Sequence, residues 1–86
     1  AMAHNVVFLK KGTNVEAFIN ASSTARDTGF VAPALSGQVL AATPLAGAGE
    51  TVTVTFTAPR QRGPYTFVCS FPGHYGSGMR GVLIVE

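Results

Sequence analysis

The chain has 86 residues, of which 47% are hydrophobic and 12% are charged, and its formal net charge is +2. This length predicts one small domain over residues 1–86, and the scattered basic residues argue against a nucleic-acid-binding surface. No apolar run approaches the roughly 20 residues that cross a bilayer, so no membrane span is expected within the chain.

The first predicted element is a β-strand over residues 4–9, with the sequence HNVVFL. This run is rich in β-forming residues and ends at a Lys-Lys-Gly turn. Alternation puts His4, Val6 and Phe8 on one face, which we expect to point inward. His4 is therefore predicted to lie at the end of a buried face.

The stretch between residues 13 and 50 is long and less regular. Helical spacing of apolar residues predicts a short helix over 14–21, with Asn14 as its N-cap. Residues 22–33 are predicted to form a surface loop. A short strand is predicted over 38–43, followed by a turn rich in proline and glycine.

The clearest predicted strand covers residues 51–57, whose sequence is TVTVTFT. Strict alternation places Val52, Val54 and Phe56 on one face and the threonines on the other. This is the pattern of a half-buried antiparallel strand.

Two further strands are predicted near the carboxyl end. Residues 64–69 (PYTFVC) send Tyr65, Phe67 and Cys69 to one side, whereas residues 80–86 (RGVLIVE) are apolar enough to be covered on both faces. Short strands separated by glycine- and proline-rich turns indicate an all-β fold.

The loop between these last two strands contains the run Cys-x4-His-x4-Met, formed by Cys69, His74 and Met79. A lone cysteine is most often a small buried apolar residue, and the single cysteine here cannot form an internal disulfide. The spacing changes that interpretation, because a tight loop between two strands can bring the three side chains around one point. The loop has the residues for such turns, namely Pro72, Gly73, Gly76 and Gly78.

The second histidine, His4, completes a donor set of two imidazoles, one thiolate and one thioether. This set is typical of a blue copper site, in which a weak axial thioether lies above a trigonal plane. Zinc would favour more numerous strong ligands. We therefore predict one copper ion, cycling between Cu(I) and Cu(II), bound by His4, Cys69, His74 and Met79.

Three segments resemble the cupredoxins, and within them the azurin and auracyanin group. They are CSFPGHYGSGMRGVLIV, MAHNVV and VLAATPLAGAGETVTVTFTAP. The resemblance implies a Greek-key β-sandwich with a short helix in the middle connection, and electron transfer without enzyme activity. It also implies a periplasmic or extracellular location.

The resemblance also assigns roles to individual residues. It implies that His4, Cys69 and His74 are equatorial copper ligands and that Met79 is the axial one. Asn5 matches an asparagine that ties the first-histidine strand to the residue after the cysteine, here Ser70.

The chain departs from the family pattern at its start. Cupredoxins carry roughly two strands before the first histidine, whereas only residues 1–3 precede His4 here. We therefore expect a sandwich truncated at its N-terminus, either a piece of a longer protein or a designed minimal form. Unpaired strand edges favour pairing with another copy, so a homo-oligomer is expected.

Redox proteins are the expected partners, docking where the His74 imidazole edge reaches the surface. An apolar collar is expected around that edge, formed by Phe71, Pro72 and Tyr75, with Pro44 and Leu45 as further members. Such docking surfaces tend to be small, and the complexes short-lived.

Other functions remain open on the sequence alone. A copper carrier or storage domain would use similar ligands, but would usually have more methionines or histidines. An enzyme with a Cys/His pair lacks an evident third orienting residue. A non-redox β-sandwich would make the motif incidental, and a binuclear copper domain would need a second cysteine.

Overall fold

The computed structural model describes residues 2–86, and its framework is one antiparallel sheet. The four strands are β1 (Val7–Leu9), β2 (Val39–Ala42), β3 (Gly63–Val68) and β4 (Arg80–Val85), in the spatial order β2-β1-β3-β4. The connection from β1 to β2 holds helix α1 (Val15–Ser22) and two short 3-10 helices, Arg26–Thr28 and Pro33–Gln38. Each of the described helices is too short or too polar to cross a lipid bilayer.

Helix α1 confirms the helix predicted over 14–21. The Asn14 side-chain oxygen accepts a hydrogen bond from the Ala17 N–H at 3.1 Å, which caps the first turn. Phe18 and Ser22 are fully buried on the inner side of the helix. Ser22 Oγ accepts the Ala32 N–H at 3.0 Å, so the helix also anchors the loop that follows it.

The most deeply buried cluster lies between α1 and one face of the sheet. It consists of Val7, Leu9, Phe18 and Val68, none more than 1% exposed. Val7 pairs directly with Val68 across β1 and β3. The prediction that His4, Val6 and Phe8 face the main core is therefore wrong, because Val7 and Leu9 face it instead. Residues 6–9 are all apolar, so alternation alone does not show which face of the strand is more deeply buried. In the structure, α1 covers the face that carries Val7.

The other face of the sheet carries a second apolar layer. The Phe8 ring lies 4.9 Å from the Phe56 ring and 5.4 Å from the Phe67 ring, measured between centroids. Phe56 belongs to residues 51–57, which cross this face with valines and phenylalanine half-buried and threonines exposed. The predicted alternation of burial is thus confirmed.

The predicted hydrogen-bonded strand over 51–57 is wrong. Within residues 2–86, no member of this segment belongs to a β-ladder or makes a backbone-to-backbone hydrogen bond. Alternation reports which side chains are covered, and it carries no information on whether a neighbouring backbone is present to pair with.

Strand β4 differs from its prediction as well. It was expected to be covered on both faces, but Val82 and Ile84 are 56% and 58% exposed. β4 is one of the two edge strands of the sheet, and α1 covers β1 and β3 rather than β4. The buried cluster around Phe18 includes none of its side chains.

Gly81 on β4 lies directly under the Phe67 ring. A Cβ built on Gly81 would contact the Phe67 ring at Cζ and lie 2.8 Å from its Cε1. We expect Gly81→Ala to lower the free energy of unfolding by about 1–3 kcal/mol, because the ring must move from its packed position. Gly37→Ala is the matched control, since its Cβ would meet nothing within 4 Å. Urea unfolding of both variants tests this, and equal midpoints would contradict it.

Candidate metal centre

Three potential metal donors from distant parts of the chain meet at one end of the sheet. The ligand atoms of His4, Cys69 and His74 all lie within 4.8 Å of one another. Cys69 Sγ and His74 Nδ1 are 3.4 Å apart. The structure therefore brings together three of the four side chains predicted as ligands.

His4 reaches the cluster from the segment that precedes β1. Its backbone forms an isolated antiparallel bridge with Ala46, with N–H to O distances of 3.0 and 2.8 Å. His4 is exposed. The bridge fixes the backbone at His4 even though the regular strand begins only at Val7.

The loop from Cys69 to Met79 is closed by its own backbone. The Cys69 N–H donates to the Met79 carbonyl and the Met79 N–H donates to the His74 carbonyl, both at 3.0 Å. Gly73 and Gly78 have φ angles of 85° and 99°, which glycine adopts without strain. The Met79 side chain is 39% exposed, and its role as the axial ligand stays a prediction.

Arg80 and Tyr75 hold the outer side of this loop. The Arg80 guanidinium lies 5.1 Å from the centre of the Tyr75 ring, and its Nη1 donates to Tyr75 Oη at 3.1 Å. Because these residues follow Met79 and His74 directly in sequence, the contact links the two ends of the His-x4-Met segment.

His74 is enclosed between two aromatic rings. Its centroid lies 4.7 Å from the stacked ring of His4 and 4.9 Å from the ring of Phe71. The side chain is only 5% exposed, and Nε2 is buried without a hydrogen-bond partner among residues 2–86. The expectation that the His74 edge reaches the surface is therefore wrong. The exposed imidazole of the pair is His4.

Asn5 ties the two halves of the cluster together, as predicted. Its Nδ2 donates to Ser70 Oγ at 2.9 Å, and its Oδ1 accepts the Ser70 N–H at 2.8 Å. Both residues are almost fully buried. The residue after His4 is thereby bonded to the residue after Cys69.

We expect Asn5→Ala to destabilise the fold by about 2–4 kcal/mol, because it leaves the buried polar groups of Ser70 without partners. The exposed Asn20 of α1 offers the matched control, Asn20→Ala, with a change within about 0.5 kcal/mol. Thermal and urea unfolding of the metal-free proteins measure both effects. An Asn5→Ala variant as stable as the control would contradict this account.

Two residues at the cluster, Gly29 and Phe30, were not predicted from the sequence. Both lie in the segment predicted as a surface loop, yet Phe30 is only 7% exposed and packs edge-on against Phe71 at 5.2 Å. Asn5 Nδ2 also lies 3.3 Å from the Gly29 carbonyl oxygen. The signal in the sequence is a short apolar run that begins with Phe30 directly after the polar residues 26–28 and Gly29.

The donor set of the cluster fits copper. It offers one thiol and two imidazoles, and no carboxylate belongs to it among residues 2–86. Thiolate and thioether sulfur suit Cu(I), whereas imidazole suits both copper states. A carboxylate-rich cluster would instead favour hard cations such as magnesium or calcium.

Comparison with known proteins also points to copper. Auracyanin-B of Chloroflexus aurantiacus is 42% identical over 83 residues, covering 95% of this chain and 35% of that protein. Auracyanin-A of the same organism is 42% identical over 84 residues, covering 96% of this chain and 51% of that protein. The chain thus spans between a third and about half of the length of these relatives.

A solved structure confirms the predicted fold class. Auracyanin A, described as a "blue" copper protein, superposes with a TM-score of 0.83 at 38% identity, covering 100% of this chain and 69% of that one. The fold is therefore a cupredoxin-like β-sandwich. The family model of copper binding proteins, plastocyanin/azurin family, matches residues 1–86. The chain belongs to the plastocyanin/azurin family of copper-binding proteins.

Proposed function

We propose that residues 1–86 form one type 1 (blue) copper domain that transfers electrons and has no enzyme activity of its own. The observation that carries the proposal is the convergence of His4, Cys69 and His74 within 4.8 Å. These three residues are the proposed equatorial ligands, and Met79 is the proposed axial ligand. When bound, the copper ion supplies the one-electron chemistry, cycling between Cu(I) and Cu(II).

The chain's own contribution is a donor set that is held in place. The Cys69 N–H donates a hydrogen bond to the Met79 carbonyl, which fixes the Cys69 backbone. The Asn5–Ser70 hydrogen bonds join the segment that carries His4 to the segment that carries Cys69. A rigid mixture of sulfur and nitrogen donors is a compromise between the preferences of the two copper states. Little movement is then needed when an electron passes.

Titration of the metal-free chain with Cu(II) tests this function. We expect an intense blue or green colour that saturates at one copper per chain, and a reversible one-electron wave in voltammetry. A colourless product, or a colour without a reversible wave, would contradict the electron-transfer proposal.

Copper carriage is the second candidate, and one observation favours it. His4 is exposed and Met79 is 39% exposed, so two of the proposed ligands are open to a copper acceptor. A carrier would pass Cu(I) to an equimolar chelating partner within seconds. An electron carrier would retain its metal while exchanging electrons, and the two rates can be measured on the same sample.

We propose redox proteins as partners, docking at the end of the molecule that carries the metal centre. Of the residues expected to surround His74, Pro72 and Pro44 are exposed and Tyr75 and Leu45 are half-buried. The four side chains are mostly apolar, and a small docking surface of this kind suits short-lived complexes. A periplasmic or extracellular location is proposed from the similarity to azurins and auracyanins.

Association with a second copy is a further part of the proposal. Residues 51–57 make no backbone-to-backbone hydrogen bond within residues 2–86, and they contain no charged side chain. Such a segment is a template for another strand. Antiparallel pairing with its own copy, centred on Thr55, places Val54 opposite Phe56. The same register places Glu50 opposite Arg60 at both ends.

This charge complementarity gives the test. Glu50 and Arg60 are exposed, and either Glu50→Lys or Arg60→Glu alone puts like charges opposite each other in the dimer. We expect light scattering to show a dimer for the original chain, monomers for each variant, and a dimer again when the two variants are mixed. A monomeric original chain, or variants that dimerise unmixed, would contradict this register.

A further inference from the structure

We propose that Phe30 is a positioning residue of the metal centre, bracing the enclosed imidazole of His74 through the ring of Phe71. The proposal rests on the proposed copper function and adds to it a residue outside the donor loop. Three independent observations support it: the backbone conformation of Phe30, its ring contacts, and the bonds of its loop.

The backbone of Phe30 is unusual for its residue type. Its φ angle is 61°, and it is the one non-glycine residue among residues 2–86 with a positive φ. Bulky residues rarely adopt this conformation, and such strain persists only where surrounding contacts enforce it. Phe30 is only 7% exposed, so the burial of its ring offsets the cost of this backbone conformation.

The ring of Phe30 begins a continuous column of four rings. It meets Phe71 edge-on at 5.2 Å, Phe71 meets His74 at 4.9 Å, and His74 stacks on His4 at 4.7 Å. Aromatic rings at these separations attract one another beyond the area they bury, and the edge-to-face contact of Phe30 with Phe71 is one of the preferred geometries. The far end of the column is therefore coupled by packing to both imidazoles.

The loop that carries Phe30 is tied down on two sides. The Phe30 N–H donates to the Ala25 carbonyl at 2.8 Å, and the Ala32 N–H donates to the buried Ser22 Oγ at 3.0 Å. On the other side, Asn5 Nδ2 lies 3.3 Å from the Gly29 carbonyl oxygen. Phe30 therefore sits between α1 and the segment that carries His4, and its ring cannot easily leave Phe71.

Removal of this ring should loosen the wall beside His74. Phe71 would lose the contact that fixes its edge, and water would gain access to the enclosed side of His74. Water stabilises the more highly charged copper state more strongly, so the reduction potential is expected to fall. A looser imidazole also raises the reorganisation that accompanies electron exchange, which should slow that exchange.

Three variants separate positioning from stability. Phe30→Leu removes the ring and keeps most of the apolar volume, whereas Phe30→Tyr keeps the ring. Phe18→Leu is the matched control, because Phe18 is fully buried against the sheet but belongs to none of the ring contacts of the column.

Two measurements compare the variants. In the metal-free protein, NMR relaxation should show increased motion of the Phe71 and His74 rings in Phe30→Leu alone. In the copper-loaded protein, Phe30→Leu should lower the reduction potential and slow electron self-exchange several-fold, with Phe30→Tyr close to the original chain. Phe30→Leu rings that move no more than those of Phe18→Leu, or an unchanged potential, would overturn the proposal. A wild-type chain that binds no copper would refute the proposed function, and the metal-free NMR comparison would still decide whether Phe30 braces His74.

Discussion

Replacement of Cys69 by serine is expected to abolish the visible colour of the copper-loaded chain completely. The colour would arise from charge transfer between the cysteine sulfur and Cu(II), and a serine hydroxyl offers a harder oxygen that stays protonated at neutral pH. Cys69 is the chain's one cysteine, so no second thiol can substitute for it. The loss of soft sulfur should also weaken Cu(I) binding more than Cu(II) binding.

Absorption spectra during Cu(II) titration measure this effect. Ser36→Ala, at an exposed position in the 3-10 helix Pro33–Gln38, is the control and should keep the full colour. Cys69 is buried, and within residues 2–86 its hydrogen bonds are made by its backbone and, through Sγ, with His74. The serine variant should therefore still fold, which circular dichroism can verify. A serine variant that turns blue would contradict the assignment of Cys69.

The second large effect concerns stability. Phe18 is completely buried and joins α1 to β1 and β3 through Val7, Leu9 and Val68. Phe18→Ala is expected to cost about 3–5 kcal/mol, from lost burial and the cavity left behind. A domain of this size has a total stability of about 4–13 kcal/mol, so this loss is a large fraction of the total and the urea midpoint of the variant should lie well below that of the original chain.

Ile84→Ala on β4 is the matched control. Ile84 is 58% exposed, and we expect its replacement to cost less than about 1 kcal/mol. Urea unfolding followed by circular dichroism measures both variants. Similar losses at the two positions would show that the cluster around Phe18 is not the main stabilising core.

Local patterns in the sequence were sufficient for α1 and for the approximate positions of the four sheet strands. Asn14 marked the start of the helix, and alternation or apolar runs marked the strands. The sequence did not show which residues of β1 are the most deeply buried, because Val6, Val7, Phe8 and Leu9 are all apolar. Only the position of α1 shows that Val7 and Leu9 are the deeper pair.

The strand segments near residues 51–57 and 80–86 show a second limit. Their apolar content predicts burial, but burial and pairing depend on elements elsewhere in the chain. Residues 51–57 have the predicted alternation without a ladder, and the edge strand β4 leaves Val82 and Ile84 exposed because the cluster under α1 does not reach it. Neither fact is encoded within the segment itself.

The metal centre was more predictable than the fold around it. Spacing and donor chemistry were enough to bring His4, Cys69 and His74 into one group, and the resemblance supplied the Asn5–Ser70 link. The orientation of the imidazoles was not predictable, since it depends on the rings of Phe71 and Phe30 that enclose His74. Phe30 itself is 41 residues away from Phe71 in sequence, so no local pattern connects them.

X-ray absorption spectroscopy at the copper edge tests the central claim most directly. Measured on the copper-loaded chain and on His4→Ala, it counts the sulfur and imidazole ligands of the metal. We expect one short sulfur ligand and two imidazoles in the original chain, with one imidazole lost in His4→Ala. A metal shell without sulfur, or one that His4→Ala leaves unchanged, would contradict the claim that the two ends of the chain bind one copper ion.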